Sequence, residues 1–207
     1  MKKGNIITII SVLLIIGGLV GSFFIEGDYG SRITNIVSMV TAVIGAAALF
    51  FQFKKDKEVN QASFVFEFSK EFRNSQGNST LTNILEKYRL KKIDNINIEE
   101  NYEDIVTYLQ WLESLASLVK RKVARLDAID DLLSYNFFIA VNNPEIQQSE
   151  LIPCKEFYKG IYWIYSVWFK YKKKRKMPII LEEYGLEKSE GFNDFLREIK
   201  GKKKKKS

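Results

Sequence analysis

The sequence predicts an all-α protein: an N-terminal two-helix transmembrane hairpin followed by a cytoplasmic bundle of four or five helices. Three observations carry that expectation. Two uncharged apolar runs, 6–25 and 33–53, stand only a few residues apart. Beyond residue 53 the apolar residues recur at steps of three and four, the period of a helix with one buried face. No stretch alternates apolar and polar residues between turn signals, and no internal repeat is present.

The first run, Ile6 to Ile25, is rich in Ile, Leu, Val and Phe. At about 1.5 Å per residue a helix of this length reaches about 30 Å, the thickness of a bilayer's hydrocarbon core. It is too long for the core of a signal peptide, and no small-residue cleavage site follows it. The second run, Ile33 to Phe53, is weakened by Thr34, Asn35, Ser38 and Thr41, and is expected to insert beside its stronger neighbour. Lys2 and Lys3 precede the pair and Lys54, Lys55 and Lys57 follow it, whereas the connecting loop holds Glu26, Asp28 and only Arg32. Positive flanks stay on the cytoplasmic side, so both termini are expected in the cytoplasm of a cell bounded by a bacterial inner membrane. Gly17 and Gly21, and Ser38, Ala42 and Ala46, repeat small residues every fourth position, spacing that lets helices pack closely in lipid. Contact within one hairpin and contact between copies both satisfy that spacing.

The formal charge of +7 is unevenly placed. Residues 54–169 hold 15 Lys and Arg against 17 Asp and Glu; the excess comes from Lys170 to Lys176, with six cations, and Lys202 to Lys206, with five. Cys154 is the sole cysteine, so no internal disulfide can form. The chain has no histidine, which removes histidine-based triads, histidine metal sites and most acid–base schemes at neutral pH.

The second apolar run has no Gly or Pro after Gly45 until Gly77, and Val65, Phe68 and Phe72 share a face, so helix is expected to continue to Asn74. Asn74 to Asn78 then reads as a break, with a shorter helix over 81–90 capped by Ser79 or Thr80. The clearest amphipathic helix spans 98–122. Ile98, Tyr102, Ile105, Leu109, Leu112, Ala116 and Val119 form its seam, which Tyr108, Trp111, Leu115 and Leu118 widen. Leu126 to Val141 reads as a helix stopped by Asn142-Asn143-Pro144. A last long helix is expected to run from Pro153 to about Lys174. Phe157, Ile161, Ile164, Trp168 and Tyr171 would form one apolar row and Tyr158, Tyr162, Tyr165 and Phe169 another. Short helices over 179–184 and 192–199 would dock on the surface, and 201–207 would be disordered. The expected divisions are 1–53 for the hairpin, 54–185 for the helical domain and 186–207 for a short helix and basic tail.

This order of elements, with the segment Tyr108-Leu109-Gln110-Trp111-Leu112-Glu113-Ser114-Leu115, then Phe137-Phe138 and Asn143-Pro144, resembles small bacterial membrane-anchored helical proteins of unknown function. Some of those are labelled phage abortive-infection proteins. The resemblance covers about residues 50–185 and rests on packing patterns. It carries no catalytic residue across; what it implies is a phage-defence setting.

No chemistry-bearing motif stands out. Asp127, Asp130 and Asp131 fall in the first turns of a helix, where the dipole favours anions, and read as a solvated helix start. Glu99, Glu100, Glu103 and Asp104 read the same way. No glycine-rich phosphate loop, nucleophile elbow or paired C-x-x-C motif is present, and no metal, cofactor or catalytic residue is assigned. The strongest surface signal is the run Lys170, Lys172, Lys173, Lys174, Arg175 and Lys176 with Trp163 beside it. Helical spacing places Trp163 with Lys159, Ser166 and Lys170 on a polar face suited to a membrane interface or a partner. The resulting expectation is a non-enzymatic inner-membrane protein whose helical domain mediates protein association or self-association, with basic runs on anionic lipid. A phage-defence effector that oligomerises and perturbs the membrane is the alternative; membrane-tethered nucleic-acid binding is a third.

Overall fold

The computed structural model describes residues 29–204, with side chains described from 40 to 198 except Ala42. All regular structure among them is helical, as expected. α1 spans Tyr29–Asn74, α2 Gln76–Arg89, α3 Tyr102–Lys120, α4 Leu126–Val141 and the short α5 Pro144–Ile146. A π-helical turn, Gln147–Leu151, leads towards α6, Lys159–Arg175. Two 3-10 turns, Glu182–Tyr184 and Leu186–Lys188, precede α7, Glu190–Lys204. The chain divides into two units, Met1–Asn60 and Gln61–Ser207.

Among the described residues, no helix is long and apolar enough to cross a membrane. The expected span 6–25, with Gly17 and Gly21, lies outside the described residues. The second, 33–53, falls within α1, but the side chains of 33–39, Ser38 included, and of Ala42 also lie outside them. The expected pair of spans therefore gains no support here. From Val40 to Phe53 the described part of α1 is exposed nearly throughout, Ala46 included; Ile44 is 64%, Phe51 68% and Phe53 70% exposed.

The core of the second unit starts on the last turns of α1. Val65, Ser69 and Phe72, at helical spacing, are buried, with Phe68 half-buried beside them. Phe72 meets Tyr108 edge-on at 4.9 Å and Phe68 meets Trp111 at 5.0 Å, joining α1 to α3. α1 stops at Asn74 as expected, but the break is a single residue. α2 begins at Gln76 with Ser75 extended at its cap, so the predicted loop over 74–78 and start at 81 are both corrected. Buried Asn78 explains the economy: its amide donates to the Phe72 carbonyl, one of the four that a helix end leaves without an intrahelical partner.

α3 starts at Tyr102 rather than at Ile98, because Ile98 to Asn101 form a turn, and Tyr102, expected in the seam, is 49% exposed. The rest of the seam is correct: Ile105, Tyr108, Leu109, Leu112, Leu115 and Ala116 are buried. α4 has its predicted limits. α6 starts at Lys159, six residues after Pro153, which corrects the proline-based start. Phe157, expected in the core row, is 78% exposed just before the helix. α7 continues to Lys204, so the predicted disorder from 201 is corrected as far as that residue. Residues 177–188 are clamped by two buried amides. Asn142 donates to the Ile180 carbonyl at 2.7 Å and accepts from the Leu186 N–H at 3.1 Å. Gln147 donates to the carbonyls of Val141 and Tyr184 at 2.9 and 2.8 Å.

Three helices end alike. After α2, α3 and α6 the chain turns left-handed at Lys91, Lys122 and Lys176, with φ of 55°, 61° and 55°. In each, the next residue's N–H reaches back five residues (Lys92 to Lys87, Val123 to Leu118, Met177 to Lys172), a Schellman closure. Glycine is the usual occupant. Lysine loses about 1–2 kcal/mol there to the clash of its Cβ, partly offset by favourable placement of a cation at a helix C-terminus. Lys122→Gly is expected to stabilise the fold by about 0.5–1 kcal/mol after the added freedom of glycine in the unfolded chain is subtracted, read as a raised thermal midpoint.

Candidate functional site

The basic run lies on the last two turns of α6, and the structure separates its members. Lys172, predicted to contact lipid or a partner, is instead 5% exposed. Its Nζ lies 3.2 Å from Asp130 Oδ1 and 5.8 Å from the centre of the Phe138 ring. Asp130, read from the sequence as part of a solvated helix start, is 6% exposed and also accepts from Trp168 Nε1 at 2.6 Å. The reason is geometric. Trp168 and Lys172 are one helical turn apart on α6, so both polar ends converge on one carboxylate of α4. Trp168 stacks on Phe137 at 4.8 Å, so the charged group sits inside the aromatic core and ties α4 to α6.

The other cations remain outside. Lys173 pairs with Glu182, and Arg175 reaches the Tyr171 hydroxyl with its guanidinium 4.1 Å from that ring's centre. Lys170, Lys174 and Lys176 are exposed and have no partner among the described residues. Trp163 lies on the same side of α6 as Lys170 and Lys174, half-buried against the core. Of the predicted contact residues, the structure thus brings Trp163, Lys170 and Lys174 onto one face, places Lys173, Arg175 and Lys176 at its end and removes Lys172 to the interior.

Two carboxylates that the sequence reading did not single out organise this helix. Tyr158, at the N-cap of α6, makes no side-chain cap bond. Glu113 of α3 supplies the missing acceptors: Gly160 N–H donates to Oε1 at 2.7 Å and Ile161 N–H to Oε2 at 2.8 Å. A Cβ at position 160 would collide with that carboxylate and push it off the two N–H groups. Burial pushes the Glu113 carboxyl above its ordinary range, against the two N–H donors and Lys120. The available signal was Glu113's position on the buried seam, between Leu109 and Ala116 at helical steps.

Glu150 lies in the π-turn, 4% exposed, and accepts from the Tyr158 hydroxyl at 3.1 Å. The same carboxylate, close to the Tyr102 hydroxyl, raises that phenol's pKa. Burial, with Glu150 beside it, also raises that of Tyr158. The half-buried thiol of Cys154 lies close to both phenols. The Tyr158 hydroxyl on this carboxylate secures the π-turn to the start of α6. Among the described residues no group of three or more His, Cys, Asp or Glu could hold a metal ion. Of the aromatic stripe from Tyr158 to Tyr171, Tyr158, Tyr162, Tyr165 and Trp168 are buried, and Phe169 and Tyr171 are half-buried at its edge. Burial pushes the Tyr162 phenol up to about 12. Comparison with protein-family models, with curated proteins and with solved structures gives no match.

Proposed function

We propose that the chain is a non-enzymatic, membrane-anchored protein whose helical domain presents a basic, partly apolar surface at the end of α6. The observation that carries this reading is the stretch Val40–Phe53 of α1. Val40, Ile44, Leu49, Phe50, Phe51 and Phe53 are between 43% and 70% exposed, with no charge among the residues between them. A soluble protein rarely leaves so continuous an apolar surface in water; lipid or another apolar partner would cover it. The uncharged run 6–25 and the lysines flanking both runs support a hairpin with both termini on the cytoplasmic side. The placement of buried Asp130, Lys172 and Glu150 and half-buried Glu113, each used to hold helices together, supports a binding or association role over catalysis.

In a bacterial host, the full-length chain is expected in the membrane fraction, resistant to carbonate extraction, with a C-terminal tag shielded from protease added outside the cell. Full-length chain in the soluble pool overturns the anchor. A tag cleaved from outside overturns the orientation. Rapid depolarisation on induced expression would replace the binding module with a membrane-perturbing effector.

A further inference from the structure

We propose that the outer face of α6 is itself a docking surface for an anionic lipid headgroup layer, a refinement that rests on the membrane reading above. Trp163, Val167, Lys170 and Lys174 follow at steps of four, three and four and so share one face of the helix. Val167 is 36% exposed, Lys170 and Lys174 are exposed, and Trp163 is half-buried. The opposite face, carrying Ile161, Ile164, Tyr165 and Trp168, is wholly buried. At the foot of the helix, one residue before its cap, Phe157 is 78% exposed.

Charge accounting decides the partner. In the run 170–176, Asp130 neutralises Lys172 and Glu182 neutralises Lys173; at the other end of the helix Glu156 pairs with Lys159. Lys170, Lys174, Arg175 and Lys176 are left without a carboxylate among the described residues. Lys170 and Lys174 in line with Val167 and a half-buried Trp163, with the uncompensated Arg175 and Lys176 at the helix end, match the boundary between lipid phosphates and acyl chains, where basic and aromatic side chains sit together. The aromatic faces that a nucleic acid would need for its bases are mostly withdrawn on this helix: Tyr158, Tyr162, Tyr165 and Trp168 are buried and Trp163 is half-buried. Each lysine close to an anionic leaflet contributes a factor of about five to association, fading within a Debye length.

The test uses the full-length chain reconstituted in phosphatidylcholine vesicles, with or without phosphatidylglycerol, whose acyl chains carry bromine near the headgroup. Trp163 fluorescence, obtained by subtracting the Trp163→Phe variant, is expected to be quenched when phosphatidylglycerol is present. Lys170→Glu with Lys174→Glu, both exposed and unpartnered, is expected to reduce that quenching at least about fivefold at low salt. Equal quenching with and without phosphatidylglycerol overturns the proposal, as does indifference to charge reversal. Protection of Lys174 that follows protein concentration rather than lipid would assign the face to a second copy. Displacement by RNA from phosphatidylglycerol vesicles, at matched charge and salt, would assign it to nucleic acid. Carbonate extraction separates this from failure of the anchor. A chain that resists extraction without phosphatidylglycerol-dependent quenching refutes the α6 surface alone. A chain that is extracted, yet whose Trp163 is quenched on added phosphatidylglycerol vesicles, refutes the hairpin alone.

Discussion

Asp130→Ala is expected to destabilise the helical domain by about 3–5 kcal/mol, because removing one partner of a buried ion pair leaves the other charged and dry. The substitution strands two donors at once: the Lys172 ammonium, 5% exposed, and the Trp168 indole N–H, fully buried. Among the described residues no other carboxylate bonds either group, so the loss is not shared. Lys172→Met is gentler, since its apolar stem can stay against Phe138 and Asp130 keeps the indole donor. In the double variant Asp130→Ala with Lys172→Met, only the indole N–H is left unsatisfied, and part of the loss should be recovered. Denaturant unfolding of the four proteins, followed by tryptophan emission, gives the coupling. A thermal midpoint lowered by about 10 °C in the Asp130→Ala variant is the corresponding expectation. Losses below about 1 kcal/mol for each single change, adding without coupling in the double variant, would show that the pair is not closed in the folded protein.

That pair also marks where sequence reasoning stops. α4 was legible to the residue, because its apolar positions are dense and Asn142-Asn143-Pro144 ends it. The buried rows of α6 were legible from spacing alone, except at Phe157, which precedes the helix. What spacing does not encode is which charge goes inside. A lysine within a run of six cations has the same local signature as its neighbours; only the position of Asp130 on another helix distinguishes Lys172 from Lys170 and Lys174. The helix ends were less legible still. Lys91, Lys122 and Lys176 occupy left-handed positions where glycine would have announced a C-terminus. The break at Ser75 was overdrawn because Gly77 and Asn78 look like turn residues. In the structure Asn78 is buried in the first turn of α2, and Gly77 leaves room for the Asp104 carboxylate. The surface formed by Trp163, Lys170 and Lys174 was legible in outline. The neutralisation of Lys172 and Lys173 within the run was not, since both carboxylates come from elsewhere in the chain.

The start of α6 carries the second large effect. Proline at N1 is a common helix opening, so Pro153 drew the predicted start too early. The real N-terminus has Tyr158 at its cap, and nothing local bonds the N–H groups of Gly160 and Ile161. Glu113→Ala removes both acceptors, and a loss of about 1–3 kcal/mol is expected, concentrated in the docking of α3 against α6. Gly160→Ala should cause a comparable loss by forcing the carboxylate aside. Glu113→Gln tests the charge separately, because its amide oxygen can accept one N–H while its NH2 opposes the other. The pH dependence has a definite sign. Burial raises the folded-state carboxyl above its unfolded value, so folding disfavours the ionised form. Between the two values the folded chain binds more protons than the unfolded chain. This group's contribution is therefore most favourable below the unfolded carboxylate pKa and is lost as pH rises through the raised folded value. Glu86, Asp127 and Asp194 run the other way: hydrogen bonds to Arg89, Arg125 and Lys155 lower them, and their contributions fade in acid. Those three are common to wild type and Glu113→Gln and cancel in the difference. The stability advantage of wild type over Glu113→Gln should therefore widen as pH falls from neutrality towards the carboxylate range, although both proteins lose stability in acid. Hydrogen exchange at the amides of Gly160 and Ile161 reports the same contact locally. An advantage that narrows in acid would mean that the two N–H donors outweigh burial at this carboxylate, whereas exchange there unaffected by Glu113→Ala would mean that Glu113 does not cap this helix.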